Sequence, residues 1–402
     1  MSTRSAEDTI KGYFYQFDYS ILKLLELKNN SDSLTVEGIE DVDIDTGGLT
    51  KAIQCKYYAK TEYNHSVISE PIRLMLQHFA KAVQGKATKI KYHLYGHYKD
   101  GHSKLSLPLS LDDLKNNFLT FTKNKIKRNL QTELALNDQD LKKFLQQLTI
   151  DINAKEYDNQ LNEIFTKLKS EFSCSYFEAE FYFYNNAINE IKRLAIQSTP
   201  AKRKIKKGEF LKRINNKKIL FNKWFVERKG LTAYHKKIKS EHFSKYNKAD
   251  YERFFVLDIS DSPTVQTLKE ICYHISHKFS NIKRREPLTF CPYILLANTN
   301  SADLTTLKTE LWDEGFYFRD GFPHLGSNFS SKHILTRATY ENQLKLKFVQ
   351  NFSQLETLLS EITKTKEVYY FFKPTSKINL KSSVSKLVEI EITDIEHIKS
   401  II

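Results

Sequence analysis

Two adjacent glycines, Gly47-Gly48, stand between two runs in which apolar and polar residues alternate, and this arrangement constrains the chain more than any other stretch. Glycine reaches positive φ without strain, so a Gly-Gly pair flanked by alternating residues predicts a tight β-hairpin. The preceding residues supply a further strand. We read Leu34–Gly38 as a first strand, Asp41–Asp45 as a second and Lys51–Tyr58 as a third.

Successive side chains on a strand point to opposite faces. In the second strand Val42 and Ile44 therefore share one face, and Asp41, Asp43 and Asp45 share the other. In the third, Ile53 and Cys55 oppose Gln54 and Lys56. If the hairpin apposes the polar faces, a carboxylate, an amide and an ammonium group meet at one point. Phosphodiester hydrolysis uses such a set: a hard divalent cation takes carboxylate and carbonyl oxygens, and a nearby Lys orients or deprotonates the attacking water. On this reading Asp41 and Gln54 are ligands and Lys56 the cationic partner. The same pattern equally describes the solvated face of an edge hairpin, since no basic residue occurs between Lys28 and Lys51.

The flanking periodicities extend the hairpin into a core. Residues Glu7–Leu27 carry Ile10, Phe14, Phe17, Ile21, Leu24 and Leu25 at helical spacing, and Ser66–Val83 carries Ile72, Leu76, Phe79 and Val83. Lys89–Tyr98 alternates as a strand, with His93 and His97 at even spacing. The resulting order is α-β-β-β-α-β.

The residues Gly12-Tyr13-Phe14-Tyr15-Gln16, Glu37, Glu40-Asp41-Val42 and Ile53-Gln54-Cys55-Lys56 together resemble the PD-(D/E)XK nuclease superfamily, in the variant where Gln replaces the second acid. More narrowly, they are similar to the double-stranded-DNA nuclease domain of bacterial anti-phage effectors of the CBASS and Lamassu types. The resemblance covers roughly the first hundred residues and extends more loosely over Tyr182–Leu211. It implies a restriction-endonuclease-like core and a site of Asp41, Gln54, Lys56, Glu37 and Gln16. It also implies Mg²⁺ or Mn²⁺ as cofactor, held by Asp41, Gln54 and Glu37. Glu37, Asp41 and Asp43 all remain open as the ligating acid. Effectors of this kind stay inactive until oligomerisation or a partner, such as an ATPase or sensor subunit, triggers them. This chain carries no Walker motif, so ATP-driven sensing falls to another protein.

With 402 residues the chain is long enough for two or three cores. Its 62 Lys and Arg against 48 Asp and Glu, a formal charge of +14, favour an anionic partner, nucleic acid first. The four cysteines, Cys55, Cys174, Cys272 and Cys291, have no C-x-x-C or metal-ligand spacing and read as free thiols of a reducing cytosol. No apolar leader and no membrane-length run is present, so a cytoplasmic protein is expected.

From Leu111 to about Ser244 apolar residues recur at helical spacing, with N-cap signals at Leu111-Asp112-Asp113 and Asn137-Asp138-Gln139. Within this stretch Lys202–Lys229 holds twelve basic residues against Glu209 and Glu227, interleaved with Phe210, Phe221, Trp224 and Phe225. Such a segment suits contact with a phosphate backbone, with Lys202, Arg203, Lys204, Lys206, Lys207 and Arg213 as DNA-binding candidates. It equally suits the wet face of helices whose aromatic side is core. From about Lys248 the period changes to buried strands (Arg253–Ile259, Phe290–Ala297, Val368–Phe372) and helices (Thr264–Phe279, Asp303–Glu314), with a strand and short helix in the tail. Asp258 ends one strand, where open α/β sheets often hold functional acids, and His274 and His277 share a helix face.

The expected fold is thus α/β: a nuclease-like core over 1–105, a helical, basic DNA-contacting region over 106–246, and an α/β sensing or assembly domain over 247–402. The expected activity is metal-dependent endonucleolytic cutting of double-stranded DNA with little sequence preference, because phosphate contacts supply affinity without reading bases. Two other readings stay open: a non-catalytic DNA-binding or assembly subunit, and a nuclease acting on RNA. A protein partner and homo-oligomerisation are both compatible with the chain.

Overall fold

A computed structural model describes residues 6–244, 249–260, 262–324, 326–373 and 386–402. The chain forms two compact α/β units, Met1–Lys217 and Lys218–Ile402. The sequence suggested breaks near 105 and 246; instead there is one division. The reason lies in two strands of the stretch read as wholly helical, which add to opposite edges of the first sheet.

In the first unit, helix α1 (Ala6–Glu26) precedes β1 (Ser33–Val36), β2 (Val42–Thr46) and β3 (Leu49–Tyr58); helix α2 (His65–Val83) and β4 (Lys91–Tyr98) follow. The α-β-β-β-α-β order and the hairpin are as expected. Gly47 and Gly48 both have positive φ, 56° and 83°, which only glycine adopts in succession without strain. The middle stretch departs from its helical pattern. Residues 120–123 and 126–129 form the hairpin β5 (Thr120–Lys123) and β6 (Ile126–Asn129), turned by Asn124 and Lys125 at positive φ. The helix opened by the Asn137 capping box ends at Gln147, and the β-branched run beyond it becomes β7 (Leu148–Asp151). The last strand of the unit is β8 (Lys204–Lys206).

The sheet order is β7-β4-β3-β2-β1-β8. Strands β3, β4 and β7 run parallel to one another, and the β3-β2-β1-β8 pairs are antiparallel. One face packs Leu34, Val36, Val42, Ile53 and Cys55 against α1 and the helices Tyr157–Phe172 and Asn185–Ala195. The core on the other face draws on β3, β4 and β7 and packs against α2. On α1 the expected side is buried in the C-terminal half, at Ile21, Leu24 and Leu25, but Ile10 and Phe14 are exposed, while Tyr15, Asp18 and Tyr19 are buried as well. Tyrosine brings an apolar ring with a polar tip, and two tips here find partners, although the buried Tyr19 hydroxyl has none among the described residues. Tyr15 donates to the Lys155 carbonyl at 2.7 Å, and Tyr184 donates to Asp18 at 2.8 Å.

The second unit holds a six-stranded sheet in the order β11-β12-β10-β9-β13-β14, with every pairing parallel. Its strands are β9 (Tyr251–Asp258), β10 (Tyr293–Ala297), β11 (Phe318–Arg319), β12 (Leu346–Val349), β13 (Thr365–Phe372) and β14 (Lys386–Glu391). Helices Val265–Phe279 and Ser301–Asp313 cover one face, and Phe352–Glu361 covers the other. Among the described residues, no helix is long and apolar enough to cross a membrane.

Candidate functional site

The site grows from the register of β2 and β3. Val42 pairs with Ile53, so the next positions outward, Asp41 and Gln54, stand side by side where β2 begins. The Asp41 Oδ2 atom receives three donors: Gln16 Nε2 from α1 at 2.9 Å, the Cys55 backbone N–H at 2.8 Å, and Gln54 Nε2. The structure thus joins three segments that the sequence had named separately. Lys56 lies two residues along β3 on the same face as Gln54, half-buried, beside Gly96 of β4.

Between β1 and β2 the chain makes a tight acidic turn. Glu37 takes φ 53° and donates its N–H to the Asp41 carbonyl at 2.9 Å. Asp43 braces this turn from below: its carboxylate accepts the Ile39 N–H at 2.6 Å and the Glu40 N–H at 3.2 Å. A Cβ at Gly38 would stand 2.0 Å from Asp43 Oδ2, so only glycine allows the brace to close. Asp43, left open as a ligand on sequence grounds, is therefore occupied as a structural cap. Glu40 takes its place in the cluster. It was missed as a site residue, and its one signal in the sequence was adjacency to Asp41.

Burying several carboxylates together raises their pKa values, because each charge loses water and meets a like charge. Burial pushes Glu40 up to about 8, helped by the charges of Asp41 and Asp43, and pushes Asp43 up to about 6. Glu37 is raised by burial and then by Asp41, while Arg203 and Lys56 pull it back. Asp41 is raised by burial against the Cys55 N–H, Lys56 and Gln54, which favour its anion. The result is a cluster of carboxyl groups that resists ionising fully without a cation, with Lys56 acting on Glu37, Glu40 and Asp41 alike.

Such a cluster suits a hard divalent cation in its donor chemistry, since every donor is oxygen. One observation sharpens the fit: Gln16 Oε1 is buried beside Asp41 and has no hydrogen-bond partner. Among the described residues, no three His, Cys, Asp or Glu side chains form a metal-holding group by themselves.

The two β4 histidines lie elsewhere. His93 and His97 pair with Ile53 and Tyr57, on the sheet face opposite Gln54 and Lys56. His93 is buried beside Lys51 and Lys23, which together with burial drive its pKa down to about 3. His97 stacks on Tyr57 and bonds the Ala154 carbonyl at 2.8 Å. Both are packing residues.

The basic candidates separate into different roles. Lys202 and Lys206 are exposed. Lys204 is paired with Asp45 at 2.6 Å, and Arg213 with Glu190 and Glu209. Lys207 is no surface contact: it is buried, and its Nζ donates to the Leu27 and Leu25 carbonyls at 2.8 and 3.3 Å, closing the C-terminal end of α1. From Lys218 the basic run belongs to the second unit, where Phe221 and Trp224 are exposed and Phe225 packs on the core.

In the second unit Asp258 ends β9 at the point where the strand order reverses, between β9 and β13. It is buried and accepts from Asn298 Nδ2 at 2.9 Å and from the Lys373 N–H at 3.4 Å. His277 lines a hollow of about 560 Å³ with Tyr273, Phe290, Phe316 and Lys345, whereas His274 is half-buried.

Compared with known protein families and with curated proteins, the chain matches none.

Proposed function

We propose that the first unit is a metal-dependent endonuclease that hydrolyses phosphodiester bonds of double-stranded DNA on a restriction-endonuclease-like core. The observation that carries this reading is the meeting of Asp41, Gln54, Gln16 and Lys56 at the acidic turn of a mixed sheet. Asp41 and Glu37 supply carboxylate oxygens for Mg²⁺ or Mn²⁺, and Gln54 and the orphaned Gln16 Oε1 supply amide oxygens. Bound there, the ion polarises a phosphoryl oxygen and acidifies a water molecule. Lys56 offsets the charge of the cluster, which otherwise repels a phosphodiester, and its ammonium group orients the attacking water by donating a hydrogen bond to it. Asp43 holds the turn in shape and touches no substrate on this reading.

The net charge of +14 and the exposed Lys202 and Lys206 support a polyanionic substrate bound through its backbone. The sequence resemblance extends the proposal to an effector of anti-phage defence, released by a partner subunit or by self-association.

The test is plasmid cleavage with Mg²⁺ or Mn²⁺ by the wild type, Asp41→Ala and Lys56→Ala, with and without co-expressed neighbouring gene products. Supercoiled DNA, linear DNA and a structured RNA serve as parallel substrates. Each substitution is expected to cost ~100-fold or more in rate while DNA binding persists. Cutting that survives both substitutions overturns the site, and cutting confined to RNA overturns the substrate.

A further inference from the structure

Arg203 entered the sequence reading as one of six interchangeable backbone contacts, and the fold gives it a different position. It is the last residue of the short turn Pro200–Arg203, directly before β8. Strand β8 pairs with β1 so that Lys204 stands opposite Thr35, and Arg203, directly before that last pair, lies at the end of β1 from which the acidic turn begins. The two segments also enclose a hollow of about 270 Å³, whose lining includes Gly38, Ile39, Asp43, Pro200 and Ala201.

Its bonding state is also distinctive. Lys204, Lys207 and Arg213, from the same segment, are all engaged by carboxylates or carbonyls. Arg203 is half-buried, and its Nε is sealed from solvent with no hydrogen-bond partner among the described residues. A buried donor without an acceptor is costly, the more so when it carries charge. An Arg left in this state beside a carboxylate cluster is suited to an anion that arrives from outside. The planar guanidinium fork matches two oxygens of one phosphate, which a lysine cannot do.

We propose that Arg203 is a substrate-contacting residue of the active site, gripping non-bridging oxygens of the phosphodiester at the acidic turn, with Lys56 supplying the second cation. This rests on the nuclease reading for the reaction, but the ligand class, a phosphate mono- or diester anion, follows from the guanidinium itself. Arg203 then also restrains the turn that carries Glu37, so substrate binding and placement of the acid are coupled.

The experiment is calorimetric titration of the full chain with thymidine 3′,5′-bisphosphate, in the presence of Ca²⁺, for wild type, Arg203→Ala, Arg203→Lys and the exposed control Lys86→Ala. Thermal melts establish that each variant is folded. Arg203→Ala is expected to weaken binding about ten-fold or more. Arg203→Lys should recover part of that loss, and Lys86→Ala should match the wild type. Plasmid cleavage by the same variants, set beside Asp41→Ala, separates the two readings. Arg203-dependent bisphosphate binding without cleavage by any variant, the wild type included, alone or with co-expressed neighbouring gene products, retains the phosphate site and removes the nuclease reading. Cleavage that depends on Asp41, with bisphosphate binding and cleavage indifferent to Arg203, overturns the present proposal alone. Absence of bisphosphate binding by the wild type at millimolar ligand also overturns it.

Discussion

In the first sheet, β2 and β3 place Asp43, Asp45, Gln54 and Lys56 on one face, with Asp41 just before β2, while Val42, Ile53 and Cys55 pack on the other. In the second sheet, β9, β10 and β13 carry near-continuous apolar runs, Phe254–Leu257, Tyr293–Ala297 and Val368–Phe372, buried on both sides. The difference follows from strand direction. A parallel sheet needs crossover helices, which cover both faces, so its central strands have little room for polar side chains. Antiparallel strands joined by a two-residue turn need no crossover, and one face can carry chemistry. The second unit keeps its polar groups at strand ends, as Asp258 shows, whereas the first carries them along the strands.

The comparison breaks most readily in the second sheet. Phe255 is fully buried and packs against Phe279 and Tyr369, with ring centroids 4.9 and 5.4 Å away. Phe255→Ala should cost about 3–5 kcal/mol, seen as lost amide-exchange protection across β9, β10 and β13. Protection in β2 and β3 should be unchanged; a loss there would mean that the two units do not unfold separately.

Next in size is Asp18, a buried acid under the first sheet, which burial pushes up to about 7 against the hydrogen bond from Tyr184. Because the folded state holds this proton more tightly than the unfolded chain, the contribution of Asp18 to the stability of the first unit is most favourable below about pH 4. This contribution is lost as pH rises towards 7 and changes little above. Asp18→Asn removes the buried charge, and it should stabilise the unit by on the order of 2–4 kcal/mol at pH 8 and by little at pH 4. Denaturant melts at the two pH values measure this; an equal effect at both would show that the charge is not the cause.

The smallest expected change in stability is at Gly38, where an added Cβ meets Asp43 Oδ2 at 2.0 Å. Gly38→Ala should cost about 1–3 kcal/mol, since the brace of the turn must shift. Its effect on plasmid cleavage should exceed that on stability, because Glu37, Glu40 and Asp41 all hang from this turn. A variant that loses stability but cuts normally would separate the turn from the site.

Much of the candidate site was legible because it is local. Period-two alternation and a glycine turn already specify that Asp41 approaches Gln54, and the β2–β3 register bears this out. The hairpin at 120–129 and the strand β7 were misread as helix, since short β-branched runs following amphipathic helices carry no distinct period of their own. Glu40 was missed for a different reason: its environment depends on burial, which adjacency to Asp41 does not reveal.

By itself, then, the sequence determined the hairpin, the α-β-β-β-α-β order, the buried, apolar character of the strands near the C-terminus, and which side chains share a strand face. These follow from backbone periodicity acting over a few residues. Only the tertiary structure decided that Gln16 reaches Asp41, that Asp43 is a brace, that Lys207 closes α1 and that Arg203 lies at the end of β1 from which the acidic turn begins. Each of these depends on which neighbour fills the space around a polar group, or on segments far apart in the chain coming together. Lys and Arg look alike as charges in a sequence, and their roles diverge only when burial leaves one paired and another without a partner.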